Sequence, residues 1–260
     1  MVEERFAYSI MKAILPCPQT TLARTDTPWR HPLLRQGLFL AGLAAGWGMA
    51  AMAADAGLLW QIGQPDGKNS EFALAPGRYG EFRVDGLFIV GRSEAKRDWP
   101  YAHPGPADTW AGGVPHTFTV VFGLKEVPAA VECRLKLDLL DTHAGSPPRL
   151  RIELNNQSSE WSLPRGGGDA SIFGEPQKGR RHQLVVLFPT GALKPGDNEL
   201  RITTLSGSWL LYDWVGLEAP VGLELAPVAG RTLVDLVQAP PVLIERDGKL
   251  YQLIRLTLRH

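Results

Sequence analysis

The chain has 260 residues with 27 basic and 27 acidic side chains, 44% hydrophobic residues, 28 Gly and 21 Pro. That apolar share supplies one or two packed domains and excludes a disordered chain, while the absence of a Gly-X-Y period excludes collagen. A formal net charge of zero argues against a nucleic-acid partner, because phosphate neutralisation calls for a net basic surface.

Residues 1–36 carry Arg24, Arg30, His31 and Arg35 without periodicity, and Gly37–Ala53 is an uncharged apolar run ending in Ala51-Met52-Ala53. Segment 1–53 reads as a secretory signal with a long n-region, directing the protein to the periplasm or the exterior. A single membrane anchor is the competing reading, since the run approaches the roughly 18–20 residues needed to span a bilayer. The Gly- and Ala-rich second half and the small-residue end favour cleavage, after which no membrane partner is expected. The remaining chain would have 22 basic and 24 acidic residues and Cys133 as its one cysteine, so it forms no internal disulfide. Cys133 sits in the alternating VECRLKLDLL, which makes it a core strand residue rather than a nucleophile.

Beyond residue 57, short alternating or β-branched runs recur between Gly/Pro clusters. The predicted strands are Leu58–Ile62, Glu81–Val84, Leu87–Val90, His116–Phe122, Glu132–Leu139, Arg149–Asn155, Glu160–Leu163, Gln183–Phe188, Asn198–Thr204 and Trp209–Leu217. Short strands divided by turns such as PGRYG, RGGGD and KPGDN predict an all-β protein, an antiparallel jelly-roll β-sandwich over 54–219. Alternation orients them: Leu150, Ile152 and Leu154 face inward against Arg151 and Glu153, and Cys133, Leu135, Leu137 and Leu139 share one face. A change of texture near Ala219-Pro220 marks residues 220–260 as a linker and hairpin. The hairpin comprises Val242–Arg246, an Asp247-Gly248 turn and Lys249–Leu258; it either packs on the sandwich or begins a second, Ig-like domain.

The chain lacks a GxSxG elbow, HExxH, a Walker loop and a CxxC pair. Gly166-Gly167-Gly168 lacks the strand-to-helix setting of a phosphate loop and reads as a flexible loop. His103, His116 and His143 are scattered, as surface or hydrogen-bonded histidines are. The informative segment runs from Asp98 to Trp110 and places Trp99, Tyr101, His103, Asp108 and Trp110 on a Pro-stiffened loop. Such a composition suits sugar contact, with aromatic planes stacking on C–H faces while carboxylates and imidazole bind hydroxyls. The same residues also suit a lid that plugs one end of a sandwich.

Four motifs now line up in order: WQIGQPDG over 60–67 with Glu71-Phe72, RDWPYA over 97–102, PGDNEL over 195–200 and LYDWVGLE over 211–218. This pattern resembles the C-terminal carbohydrate-binding-like domain, domain III, of rhamnogalacturonan lyases of polysaccharide lyase family 4. The resemblance implies a galactose-binding-like jelly roll over about 58–219. It does not carry over the activity, because the catalytic Lys and His of those lyases lie in a domain that nothing here matches.

The resulting expectation is a noncatalytic carbohydrate-binding module of an exported protein that degrades pectin or a related plant polysaccharide. It would act alone as a monomer or as part of a larger multidomain chain. The alternatives are a lyase, using His103 or His143 with Arg149 or Lys178, and a structural spacer without sugar affinity. Exposed aromatics on one connected surface separate a binder from a spacer. The expected sugar contacts are Asp98, Trp99, Tyr101, His103, Asp108, Trp110 and Arg149, the last for its bidentate fit to a uronate. No cofactor is required. A structural Ca²⁺ held by Asp66, Glu71 and Asp213 is a further expectation, from carboxylates at strands that would pair as first and last.

Overall fold

The computed structural model describes residues 56–127, 132–229 and 233–259. The leader region lies outside the described residues. Among the described residues, fifteen strands follow in chain order. Those up to the middle of the chain are β1 (Ala56–Gly63), β2 (Leu87–Ile89), β3 (Ala102–His103), β4 (Thr117–Leu124), β5 (Cys133–Thr142), β6 (Arg149–Leu154) and β7 (Gln157–Ser162). Then come β8 (His182–Phe188), β9 (Gly196–Ser206), β10 (Leu210–Pro220), β11 (Leu225–Ala226), β12 (Leu233–Gln238), β13 (Leu243–Arg246), β14 (Lys249–Gln252) and β15 (Arg255–Arg259). One sheet runs β1-β10-β5-β8 with β3 beside β10, and the other runs β11-β4-β9-β6-β7 with β2 beside β4. Together they form a jelly-roll β-sandwich.

The alternation orients the strands as expected. Leu135, Leu137 and Leu139 from one sheet and Leu150, Ile152 and Leu154 from the other are buried in the same core, while Arg149 and Arg151 are exposed. Each fully buried aliphatic side chain contributes roughly 1.5–3 kcal/mol, so the interleaved faces carry the fold without a disulfide. Burial pushes the Cys133 thiol up to about 12, in keeping with a core residue.

Four expectations are corrected. Residues 81–84 form no strand, because the N–H groups of Glu81 and Phe82 donate to Arg78 and Tyr79 carbonyls in a 3₁₀ turn and are spent before a ladder can use them. The sandwich is not wholly antiparallel, since β2 pairs with β4 in parallel. It also continues past residue 219: β11 pairs with β4, and Val228 packs with Ile89 and Val121. Finally, Lys249–Leu258 is not one strand. β14 pairs with β13 and β15 with β12, and the partner changes opposite Pro240-Pro241, which have no N–H to donate.

The RGGGD segment is pinned, not flexible. The fully buried Asp141 carboxylate accepts hydrogen bonds from the N–H groups of Thr142 (2.9 Å), Gly167 (2.7 Å) and Arg180 (3.0 Å) and from Ser171 Oγ (2.6 Å). A Cβ at Gly166 would collide with the Thr142 carbonyl and the Asp141 carboxylate. Glycine is therefore needed there for close approach.

Asp141→Ala is expected to cost about 3 kcal/mol, because it strands several buried donors at roughly 1–3 kcal/mol each; urea unfolding at neutral pH measures it. Stability should also fall on acidification. Burial pushes His103 down to about 4, only partly opposed by its hydrogen bond to the His116 carbonyl. The unfolded imidazole binds a proton near its ordinary value of 6.5 and the folded one only near 4, so protons favour the unfolded chain and the stabilisation is lost as pH falls between these values. Its full loss is about 3 kcal/mol. His116 acts in the opposite sense: desolvation lowers its pKa, but the Asp85 hydrogen bond and charge outweigh it and hold it raised, so its contribution is lost as pH rises. Denaturant midpoints between about pH 7 and about pH 4 should decline if His103 dominates.

Candidate functional site

The loops following β3, β5, β7 and β9, with the turn around Tyr79, meet at one end of the sandwich. They enclose a cavity of about 270 Å³ lined by Tyr79, Trp110, His143, Asp169, Phe173 and Trp209 among others. The aromatic side chains touch in a chain: Tyr79 and Trp110 rings lie 5.0 Å apart, edge to face, and Tyr79 and Phe173 rings 5.6 Å apart. Trp110 and Tyr79 are half-buried and Phe173 is 60% exposed. A large apolar side chain left in water at a cavity mouth is what the hydrophobic effect opposes unless something covers it.

Beside them, His143 packs edge-on against buried Trp209 at 5.6 Å. Its Nδ1 accepts the Ser146 N–H at 2.8 Å, which leaves the ring proton on Nε2. That atom lies 3.8 Å from Asp169 Oδ1. Asp108 forms a buried wall: Oδ2 accepts from Gly105 N at 2.8 Å and Oδ1 from Ser208 Oγ at 2.5 Å, tying the loop after β3 to the loop after β9.

Of the expected sugar contacts, only Asp108 and Trp110 line this cavity. Trp99, Tyr101 and His103 are fully buried and cannot face a ligand. Trp99 packs on Phe118 at 5.1 Å and Tyr212 at 5.5 Å. His103 stacks on Phe118 at 3.8 Å, with Nδ1 accepting from Tyr212 Oη at 2.9 Å and Nε2 donating to the His116 carbonyl at 3.1 Å. Tyr101 supports the site from below, its hydroxyl donating to the Ile172 carbonyl at 2.5 Å; burial raises its pKa. Asp98 is buried beside Arg97 and accepts the Glu94 N–H, bracing the one-turn helix α1 (Ala95–Asp98). Arg149 lies on the outer face of β6 and pairs with Glu160. Lys178 pairs with Glu175, so the side chains considered for lyase chemistry do not converge.

The expected calcium ligands do not form a site. Asp213 is fully buried and already compensated by the Arg181 guanidinium and the Gly67 N–H, with burial raising its pKa against those two influences. Asp66 pairs with Lys68, and Glu71 accepts the Gln64 N–H. Among the described residues, no group of three His, Cys, Asp or Glu is placed to hold a metal ion.

The four sequence motifs thus sit where the fold needs them, and the family model for polysaccharide lyase family 4 domain III, described as CBM-like, matches residues 58–217. The chain belongs to that family. A rhamnogalacturonate lyase of Dickeya dadantii is 30% identical over 172 residues, covering 62% of this chain and 27% of the relative, so this chain spans about a quarter of that relative's length. Solved structures with some likeness include a family GH115 4-O-methyl-α-glucuronidase at 16% identity and TM-score 0.34, covering 65% of this chain and 18% of the other. Another is a family 35 carbohydrate-binding module of Cellvibrio japonicus at 12% identity and TM-score 0.31, covering 56% of this chain and 91% of the other.

Within the domain III chain, Tyr79, Asp169, Phe173 and Trp209 are absent from the residues expected at the site, and His143 enters there only as a base for the lyase alternative, not as a sugar contact. Their one shared signal is position: each lies next to a Gly or Pro turn or at a strand end, and strand order alone brings them to one end. Trp99→Ala is expected to cost about 3–5 kcal/mol of stability, whereas Phe173→Ala, exposed, should change stability by less than about 0.5 kcal/mol; paired thermal and urea unfolding would show the contrast.

Proposed function

We propose that this domain is a noncatalytic carbohydrate-binding module that holds a sugar ring in the loop-end cavity, as part of an exported protein degrading pectin or a related plant polysaccharide. The observation that carries it is the connected chain of solvent-reaching aromatics, Trp110, Tyr79 and Phe173, at the mouth of a cavity with polar groups inside. A sugar well hydrated by water gains little from hydrogen bonds alone, and aromatic stacking makes its binding net favourable. A spacer would bury its aromatics instead. The volume of about 270 Å³ lies just below the roughly 300–1,000 Å³ of sites that enclose drug-sized ligands, which suits one ring taken end-on. Family membership and the partial match to a rhamnogalacturonate lyase support a pectic ligand.

The test is calorimetry or affinity electrophoresis of the full chain against pectic galactan, arabinan and rhamnogalacturonan. Trp110→Ala and Phe173→Ala should each weaken binding at least about tenfold, in line with the roughly 1.4 kcal/mol that a lost stacking face represents. Absence of binding to all three polymers, or binding unchanged in both variants, would return the domain to a spacer.

A further inference from the structure

Resting on that reading of the cavity, we propose that the site selects an uncharged sugar ring, a neutral sugar or a methyl-esterified uronate, and discriminates against the free uronate. Two carboxylates line the cavity, Asp108 in its wall and Asp169 at its rim, and among the described lining residues there is no Lys or Arg. Asp108 is buried and its two hydrogen bonds come from a neutral amide and a hydroxyl; the imidazole that senses its charge, His116, is outside the cavity lining and spends its ring nitrogens on Asp85 and the Ala111 carbonyl. Arg149, the side chain that would have gripped a uronate, is held by Glu160 on the outer face of β6.

The His143–Asp169 pair adds a chemical filter. Nε2 of His143 is a donor, because Nδ1 is occupied by the Ser146 N–H, and Asp169 Oδ1 stands 3.8 Å away as an acceptor. That separation is beyond a direct hydrogen bond. A sugar hydroxyl can accept from the first while donating to the second, whereas an ionised carboxylate accepts only and meets Asp169 as a like charge. An ester carbonyl accepts from His143 without that repulsion.

The experiment uses the full chain and three probes differing at one carbon: methyl β-galactopyranoside, the methyl glycoside of galacturonic acid, and the methyl ester of that glycoside. Ligand-observed NMR and calorimetry at low salt should show the galactoside and the ester binding alike and the free acid about tenfold more weakly. The gap should narrow as salt rises. It should also narrow in Asp169→Asn, whose side chain is largely exposed, so that folding is preserved and thermal unfolding confirms it. Free acid binding as tightly as its ester, with Trp110→Ala still weakening binding of both, overturns the charge selection and leaves the sugar site standing. No binding of any probe overturns both together.

Discussion

A buried carboxylate has to be surrounded by donors, and three of them set the shape of one end of this molecule. Asp141 gathers the amides of the β7–β8 loop, Asp108 joins the loops after β3 and β9, and Asp213 clamps the turn after β1 through Gly67 N and the Arg181 guanidinium. Leaving any of these ions without its donors would cost several kcal/mol. The loops therefore have few alternatives to the path they take. Glycines follow from the same demand: the chain at Gly166 and Gly105 passes so close to neighbouring backbone that a Cβ would collide.

The candidate site inherits its order from that clasp. Phe173 and Asp169 stand on the loop whose Ser171 and Gly167 are bound to Asp141 and whose Ile172 carbonyl receives the Tyr101 hydroxyl. Trp110 follows the Asp108 wall directly. Aromatics presented on loops already ordered lose little freedom when a ligand arrives, and this is where weak, hydroxyl-rich ligands gain affinity. Trp99, Tyr101 and His103 serve the site by forming the packed floor beneath it, with Phe118 and Tyr212 between them.

The family assignment and this geometry bear on different levels. Membership in the lyase family's domain III accounts for the sandwich and its motifs, several of which are structural: Asn198 holds the turn before β9 through Lys194 N at 3.0 Å and through Asn155, and Asp213 is spent on Arg181. The loop-end cavity is lined by other residues: none of Tyr79, Trp110, His143, Asp169, Phe173 and Trp209 belongs to the four motifs.

The sequence by itself determined the strands with unbroken alternation, such as β5 and β6, because a period of two decides which face is buried whatever the partner. It also determined the all-β class and the family. It could not separate Trp99 from Trp110, eleven residues apart on the same Pro-rich loop: composition is equal for both, and only the crossing of that loop over Phe118 sends one into the core and leaves the other at the surface. Nor could it join Tyr79, His143 and Phe173, which are distant in the chain and meet because strand order returns their loops to one end. The partner change opposite Pro240-Pro241 and the parallel β2 were settled by tertiary structure for the same physical reason, that a strand's pattern records how its faces are buried and not which neighbour its backbone meets.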